Sequence, residues 1–171
     1  MTSRRLTLLR HGQAQPIDTC DEDFERSLTH RGAIEAEEMG KRLRLRSLVP
    51  DLILVSPSER TWATAEIIAN FSECDAKQIQ CARELYLASA ESIWRLIQRL
   101  PAGAHHVLVC GHNPGLSHLA SRLGPKPQNR DLPTAGLATA EWSGISWEQL
   151  TPETAQLCDL DDPESLADLW V

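Results

Sequence analysis

Three short stretches of this sequence carry side chains suited to chemistry on an anionic group. Arg10-His11-Gly12 follows the apolar run 6–9 (LTLL), Arg60 follows Ser56-Pro57-Ser58-Glu59, and Gly111-His112-Asn113 follows the run 107–110 (VLVC). A glycine directly after a strand lets the backbone turn sharply, so His11 at the strand tip projects outward. Such a histidine can be a nucleophile through one ring nitrogen if an acceptor holds the other and fixes the tautomer. The neighbouring Arg10 guanidinium offers a planar fork of donors matched to phosphate oxygens. Arg60 falls in the first turn of an expected helix, where free backbone N–H groups and the helix dipole also favour an anion. His112 precedes Asn113-Pro114, a turn that fixes its ring at the end of a buried strand. Taken singly, each has an ordinary alternative: a hydrogen-bonded strand-end histidine, a solvated arginine, a loop histidine. Taken together, the alternatives require three coincidences in the right order along the chain.

The elements that must position these residues alternate between β-type runs and helical patterns, which predicts an α/β fold with a mainly parallel sheet. Strands are expected over 5–10, 51–56, 78–82 and 106–110. Thr29 is placed to cap a helix over 30–46 whose Ala36, Met39 and Leu43 share one face. Ser58 is placed to cap a helix containing Ile67 and Ile68, and Ser89 one containing Ile93, Leu96, Ile97 and Leu100. A helix over 115–123 follows the Gly-His-Asn-Pro turn. Residues 13–28 form a polar loop long enough to suggest a function, and 124–134 read as loop. Late strands are expected over 137–142 and 145–150, joined as a hairpin through Ser143-Gly144. In open α/β sheets ligands bind beyond the carboxyl ends of the strands, where Arg10, His11, Arg60 and His112 all fall.

Composition narrows the partners. The 171 residues hold 24 acidic and 17 basic side chains. Seven of the acids (Glu148, Glu153, Asp159, Asp161, Asp162, Glu164, Asp168) lie after Trp147 with no Lys or Arg, leaving 17 of each sign before it. Nucleic acid, which demands a basic face, is therefore not an expected partner. The apolar runs are too short to span a membrane, and four apolar residues after Arg4-Arg5 are too few for a signal-peptide core, so a cytoplasmic location is expected. The five cysteines (20, 74, 81, 110, 158) include no CxxC pair; a Cys74–Cys81 bridge is not expected in a reducing compartment. His105 and His106 are adjacent and the other histidines scattered, so neither a metal nor another cofactor is expected.

At this point the motifs resemble a known family. LLRHGQA (8–14), SPSERTWAT (56–64) and VCGHNPG (109–115) resemble the three motifs of the histidine phosphatase, or phosphoglycerate-mutase-like, superfamily. LTHRG (28–32), RELYLAS (83–89) and GHNPGLSHLASRL (111–123) are similar to its SixA-type phosphohistidine phosphatase branch. The resemblance runs from about residue 5 to about residue 147. It implies a three-layer sandwich, a central mostly parallel sheet with helices on both faces, in one domain over 1–150. It further implies that His11 is the transiently phosphorylated nucleophile, that Arg10 and Arg60 clamp the phosphoryl oxygens, that His112 contacts the same group, and that no metal is needed.

The resemblance leaves the general acid open. Glu84, after the third strand, is the candidate by position, with a solvated loop glutamate as the alternative. Phosphohistidine departs as an imidazole whose conjugate acid has a pKa near 6.5, whereas serine or sugar departs as a strongly basic alkoxide. A pocket without an acid therefore favours phosphohistidine on a protein. The alternatives are a broader phosphomonoesterase acting on small phosphorylated metabolites and a non-catalytic phospho-ligand-binding module. The acidic tail 151–171 lies outside the resemblance; Leu157, Leu160, Leu166, Leu169 and Trp170 can pack it on the domain as a short helix or strand, or it can dock loosely.

Overall fold

The computed structural model describes residues 3–144 and 146–165. Six strands form one sheet: β1 (Ser3–Arg10), β2 (Leu52–Val55), β3 (Ile79–Cys81), β4 (His106–Gly111), β5 (Leu137–Ser143) and β6 (Gln156–Asp161). Their order across the sheet is β3-β2-β4-β1-β5-β6. The first four are mutually parallel, and β5 and β6 run antiparallel to their neighbours. Four helices cover the two faces: α1 (His30–Leu45), α2 (Glu59–Ser72), α3 (Ala90–Gln98) and α4 (Gly115–Arg122). This is the mostly parallel α/β sandwich expected.

Strand alternation divides the core. Leu6 and Leu8, Leu52 and Leu54, and Val107 and Val109 point to one face, where α3 and α4 supply Ile93, Ile97, Leu116 and Leu119. Leu9, Ile53, Val55, Leu108 and Cys110 point to the other, against Met39 and Leu43 of α1 and Ala65 and Ile68 of α2. Thr29 caps α1 by accepting from the Gly32 N–H, and Ser89 caps α3 by accepting from the Ser92 N–H. Ser58 precedes α2 as expected but makes no cap bond; its hydroxyl pairs instead with that of Thr61 at 2.7 Å. All five cysteines are free thiols, with Cys74 buried and Cys81 exposed.

The end of the chain departs from the expected hairpin. Residues 147–149 form a single 3₁₀ turn rather than a strand, and Ile145 lies outside the described residues. Trp147 is only 1% exposed, and its indole N–H donates to the Ala104 carbonyl at 2.8 Å. Its ring belongs to the core on the α3–α4 side, an anchorage that a strand beside β5 would forgo. The strand that does pair with β5 is β6, eight residues further on from Glu148. Its Asp161 carboxylate accepts from Arg42 of α1 at 2.7 Å, both side chains being buried, and Asp159 accepts from Arg46 at 2.8 Å. Leu166, Leu169 and Trp170 lie outside the described residues.

Removing Asp161 takes one acceptor from buried Arg42, which keeps Glu38 at 3.1 Å. Asp161→Ala is therefore expected to destabilise the protein by about 1–3 kcal/mol in urea denaturation. A loss within experimental error of zero would show that β6 does not depend on Arg42.

Candidate active site

The site is assembled at the carboxyl ends of β1, β2 and β4. Parallel pairing sets Arg10 opposite Gly111, so His11 and His112 leave adjacent strands at one level. Their ring centroids are 5.4 Å apart. The His11 backbone is held on both sides, its N–H donating to Gly111 at 3.2 Å and its carbonyl accepting from Ala135 at 3.0 Å. The following turn is squeezed between helices. Gly12 N–H donates to the Thr64 hydroxyl of α2 at 3.0 Å, and a Cβ on Gly32 of α1 would lie 2.1 Å from the Gln13 carbonyl oxygen. No side chain fits there, which gives LTHRG its structural meaning.

The ring of His11 has one tautomer. Its Nδ1 lies 2.7 Å from the Gly12 carbonyl, which can only accept, so Nδ1 carries the proton. The Nε2 lone pair faces the cleft, where Arg60 Nε donates to it at 3.3 Å. Arg60, 2% exposed, stands between the histidines and also donates through Nη2 to His112 Nδ1 at 3.3 Å. That leaves the Nε2–H of a neutral His112 to donate to the Ser56 hydroxyl at 2.7 Å. Arg10 donates through Nη1 to the Leu132 carbonyl at 3.0 Å, while its buried Nε has no partner. A buried donor left unpaired is costly.

Electrostatics keep both rings neutral. Burial, assisted by Arg60, Arg10 and Arg26, pushes His11 down to about 4, against the bond to Gly12. Burial, His11 and Arg60 push His112 down to about 3, with Asp23 opposing.

Arg10, His11, Arg60 and His112 therefore line one cleft, of about 370 Å³. Glu84 does not join them. Its side chain is more than half exposed, and its nearest ionic partner is Arg99 at 3.5 Å. Three lining or flanking residues were not singled out from sequence: Asp23 and Arg26 from the polar loop, and Tyr86, whose ring packs edge-on to His112 at 5.4 Å. The length of the 13–28 loop was the one signal pointing to the first two. A larger open groove of about 880 Å³ lies elsewhere, beside Arg95, Arg99 and Trp147, but none of the four residues borders it. Among the described residues no group of three or more His, Cys, Asp or Glu side chains is placed to hold a metal ion, and no helix is long and apolar enough to cross a membrane.

The sequence model of the histidine phosphatase superfamily (branch 1) matches residues 6–101, more than half of the chain. The chain belongs to that superfamily. It is a hydrolytic phosphatase with the SixA-type fold. The SixA protein of Nakamurella multipartitia superposes with a TM-score of 0.80 at 25% identity, covering 95% of this chain and 98% of that one. SixA of Agrobacterium tumefaciens gives 0.77 at 26% identity, covering 94% and 98%. The protein histidine phosphatase SixA complexed with tungstate gives 0.78 at 23%, covering 95% and 99%, a likeness of fold. An uncharacterised chloroplast protein of Arabidopsis thaliana is 28% identical over 155 residues, 86% of this chain and 70% of that protein. The mitochondrial serine/threonine-protein phosphatase Pgam5 of Drosophila virilis is 33% identical over 79 residues, 46% of this chain and 27% of that longer protein.

The depressed histidine pKa values lead to a direct measurement. The neutral form of His11 exists above its pKa, so in this phosphatase it should persist from pH 7 down to about 4 rather than protonating near 6.5. Proton–nitrogen correlation spectra of the imidazoles at pH 5.5 should show His11 neutral with the proton on Nδ1. A protonated ring at that pH would contradict the assigned electrostatics.

Proposed function

We propose that this phosphatase removes the phosphoryl group from phosphohistidine on proteins by way of a phosphorylated His11. The observation that carries the reading is the His11 imidazole itself: Nδ1 is tied to the Gly12 carbonyl, and Nε2 is unprotonated and aimed into a cleft that Arg10, Arg26 and Arg60 also line. Nε2 attacks phosphorus, and the P–N bond to the substrate imidazole breaks on the opposite side. Arg60 and Arg10 hold the equatorial oxygens, where charge concentrates in a loose transition state. His112 contacts the same oxygens; once the dianion is present, its charge opposes the burial and the Arg60 charge that keep this ring neutral. Water then attacks phospho-His11, the P–Nε2 bond breaks, and inorganic phosphate leaves with the resting tautomer restored.

The substrate class follows from the leaving group. Phosphohistidine can take a proton from solvent on its far ring nitrogen and depart as neutral imidazole. An alkoxide needs a proton delivered to the scissile oxygen, and among the described residues no carboxyl group of the cleft is held protonated while Asp23 stays on Arg60. Glu84 faces away. Asp23 is ionised: burial tends to raise it, but hydrogen bonds from Tyr86 and Arg60 and the charges of Arg60 and Arg26 hold it down at about 2.

His11→Ala should abolish turnover and acid-quench labelling with the fold preserved by circular dichroism; labelling that survives in the variant would remove His11 from this role. The wild type should turn over a phosphohistidine peptide with a higher kcat/KM than an alkyl phosphate. A strong preference for the ester would make it a broader phosphomonoesterase, and no turnover of either would make it a binding module.

Glu84→Gln should change kcat/KM on either substrate by far less than the 10²–10⁴-fold typical of losing a general acid. Activity should also survive EDTA, because arginines and histidines supply the positive field. A hundredfold loss in the variant would reinstate Glu84, and loss with EDTA reversed by one divalent ion would establish a metal.

A further inference from the structure

Within the chain itself an anion sits on Arg60. Asp23 Oδ2 accepts from Arg60 Nη2 at 3.0 Å and from the Tyr86 hydroxyl at 2.8 Å. Its Oδ1 accepts from Arg26 Nε at 3.0 Å, and its backbone carbonyl accepts from Arg60 Nη1 at 2.6 Å. With Nε on His11 and Nη2 also on His112, every nitrogen of the Arg60 guanidinium is engaged, and Asp23 holds the face that opens on the cleft.

The segment that delivers Asp23 is a strap with fixed ends and a lightly held tip. Its ends are sewn together by the antiparallel Ala14–Leu28 bridge, by Gln15 N–H donating to Ser27 at 2.8 Å, and by Thr29 N–H donating to Gln13 at 2.9 Å. Between them lie two single 3₁₀ turns, Ile17–Thr19 and Asp23–Glu25, and neither contains a buried residue. The tip rests on Phe24, itself 38% exposed, which meets the Tyr86 ring edge-on at 5.2 Å. A segment with so little buried apolar surface opens at small cost while its ends stay in place.

We propose that Asp23 is a built-in stand-in for the phosphoryl group, which every substrate must displace from Arg60 to enter the cleft. This rests on the assignment of Arg60 to the phosphoryl clamp. The carboxylate is a workable but inferior ligand. It brings one charge and leaves Arg10 Nε unpartnered. A terminal phosphoryl dianion brings two charges and a third oxygen. Displacing the strap discounts the affinity of every anion by one common factor. Carboxylates and phosphodiesters, singly charged, then fall below useful affinity, while a terminal phosphoryl group stays above it. Asp23 thus sets the affinity threshold of the site for every anion, while the ratio between anions comes from their charge.

The test is the affinity of inorganic phosphate at pH 7.5 by titration calorimetry, with binding located at the cleft by shifts of the His11 and His112 ring resonances. A strap closed about nine-tenths of the time lowers apparent affinity roughly tenfold, so Asp23→Ala should tighten phosphate by about that factor and lower KM in parallel. Tyr86→Phe keeps the ring and removes one bond to the carboxylate; it should tighten phosphate by a smaller factor. If Asp23→Ala does not fold, the sign of the change in Tyr86→Phe decides. Unchanged or weaker phosphate binding in the folded variants would overturn the proposal and make Asp23 a positioning residue for Arg60. A wild type that gives these results but is never labelled at His11 would fail the catalytic reading and leave this one standing.

Discussion

The site depends on burying one permanent charge, the Arg60 guanidinium, between two imidazoles. The parallel register of β1 and β4 brings His11 and His112 together, and the first turn of α2 inserts Arg60 where both rings must accept from it. Two histidines can stand this close to a buried cation only while they are uncharged. Burial does most to keep the nucleophilic nitrogen unprotonated, and the same charge that prepares the clamp for an anion adds to it.

What supports that arrangement is backbone rather than side chain. His11 is fixed by its own N–H and carbonyl and by the carbonyl of the next residue. These contacts persist under many substitutions because no side chain makes them. They require the chain at 12–13 to lie against α1 and α2 with nothing between, and Gly12 and Gly32 leave that space empty.

Much of this was legible in the sequence. The runs 6–9, 52–55 and 107–110 are apolar on both faces, as buried parallel strands must be, and the residues after them are the ones the structure gathers. Thr29 and Ser89 announced their helices by capping chemistry. Asp23 and Tyr86 were not legible, because their meeting spans 63 positions and joins a polar loop of no periodicity to a short turn. Strand β6 was legible only as one option for the acidic tail, a short helix or strand, for a related reason. Its inward acids, Asp159 and Asp161, are matched by Arg46 and Arg42 of α1, so it lacks the alternation of apolar residues that marks a strand. Residues 145–150 misled in the opposite direction: Trp147 and Leu150 are buried, but by a tight turn.

Helix α1 touches both ends of this story. Its first turn presses Gly32 against the loop that follows the nucleophile, and its last turns hold the final strand through Arg42 and Arg46. An α-helix is stiff along its axis, so its two ends shift as one body. Loosening the acidic strand at the far rim would free the helix to tilt, and the tilt would be felt where Gln13 meets Gly32. A proteolytic cut near the carboxyl terminus, far from any reacting atom, would then read out as a change in imidazole alignment, with the helix as the lever arm between them.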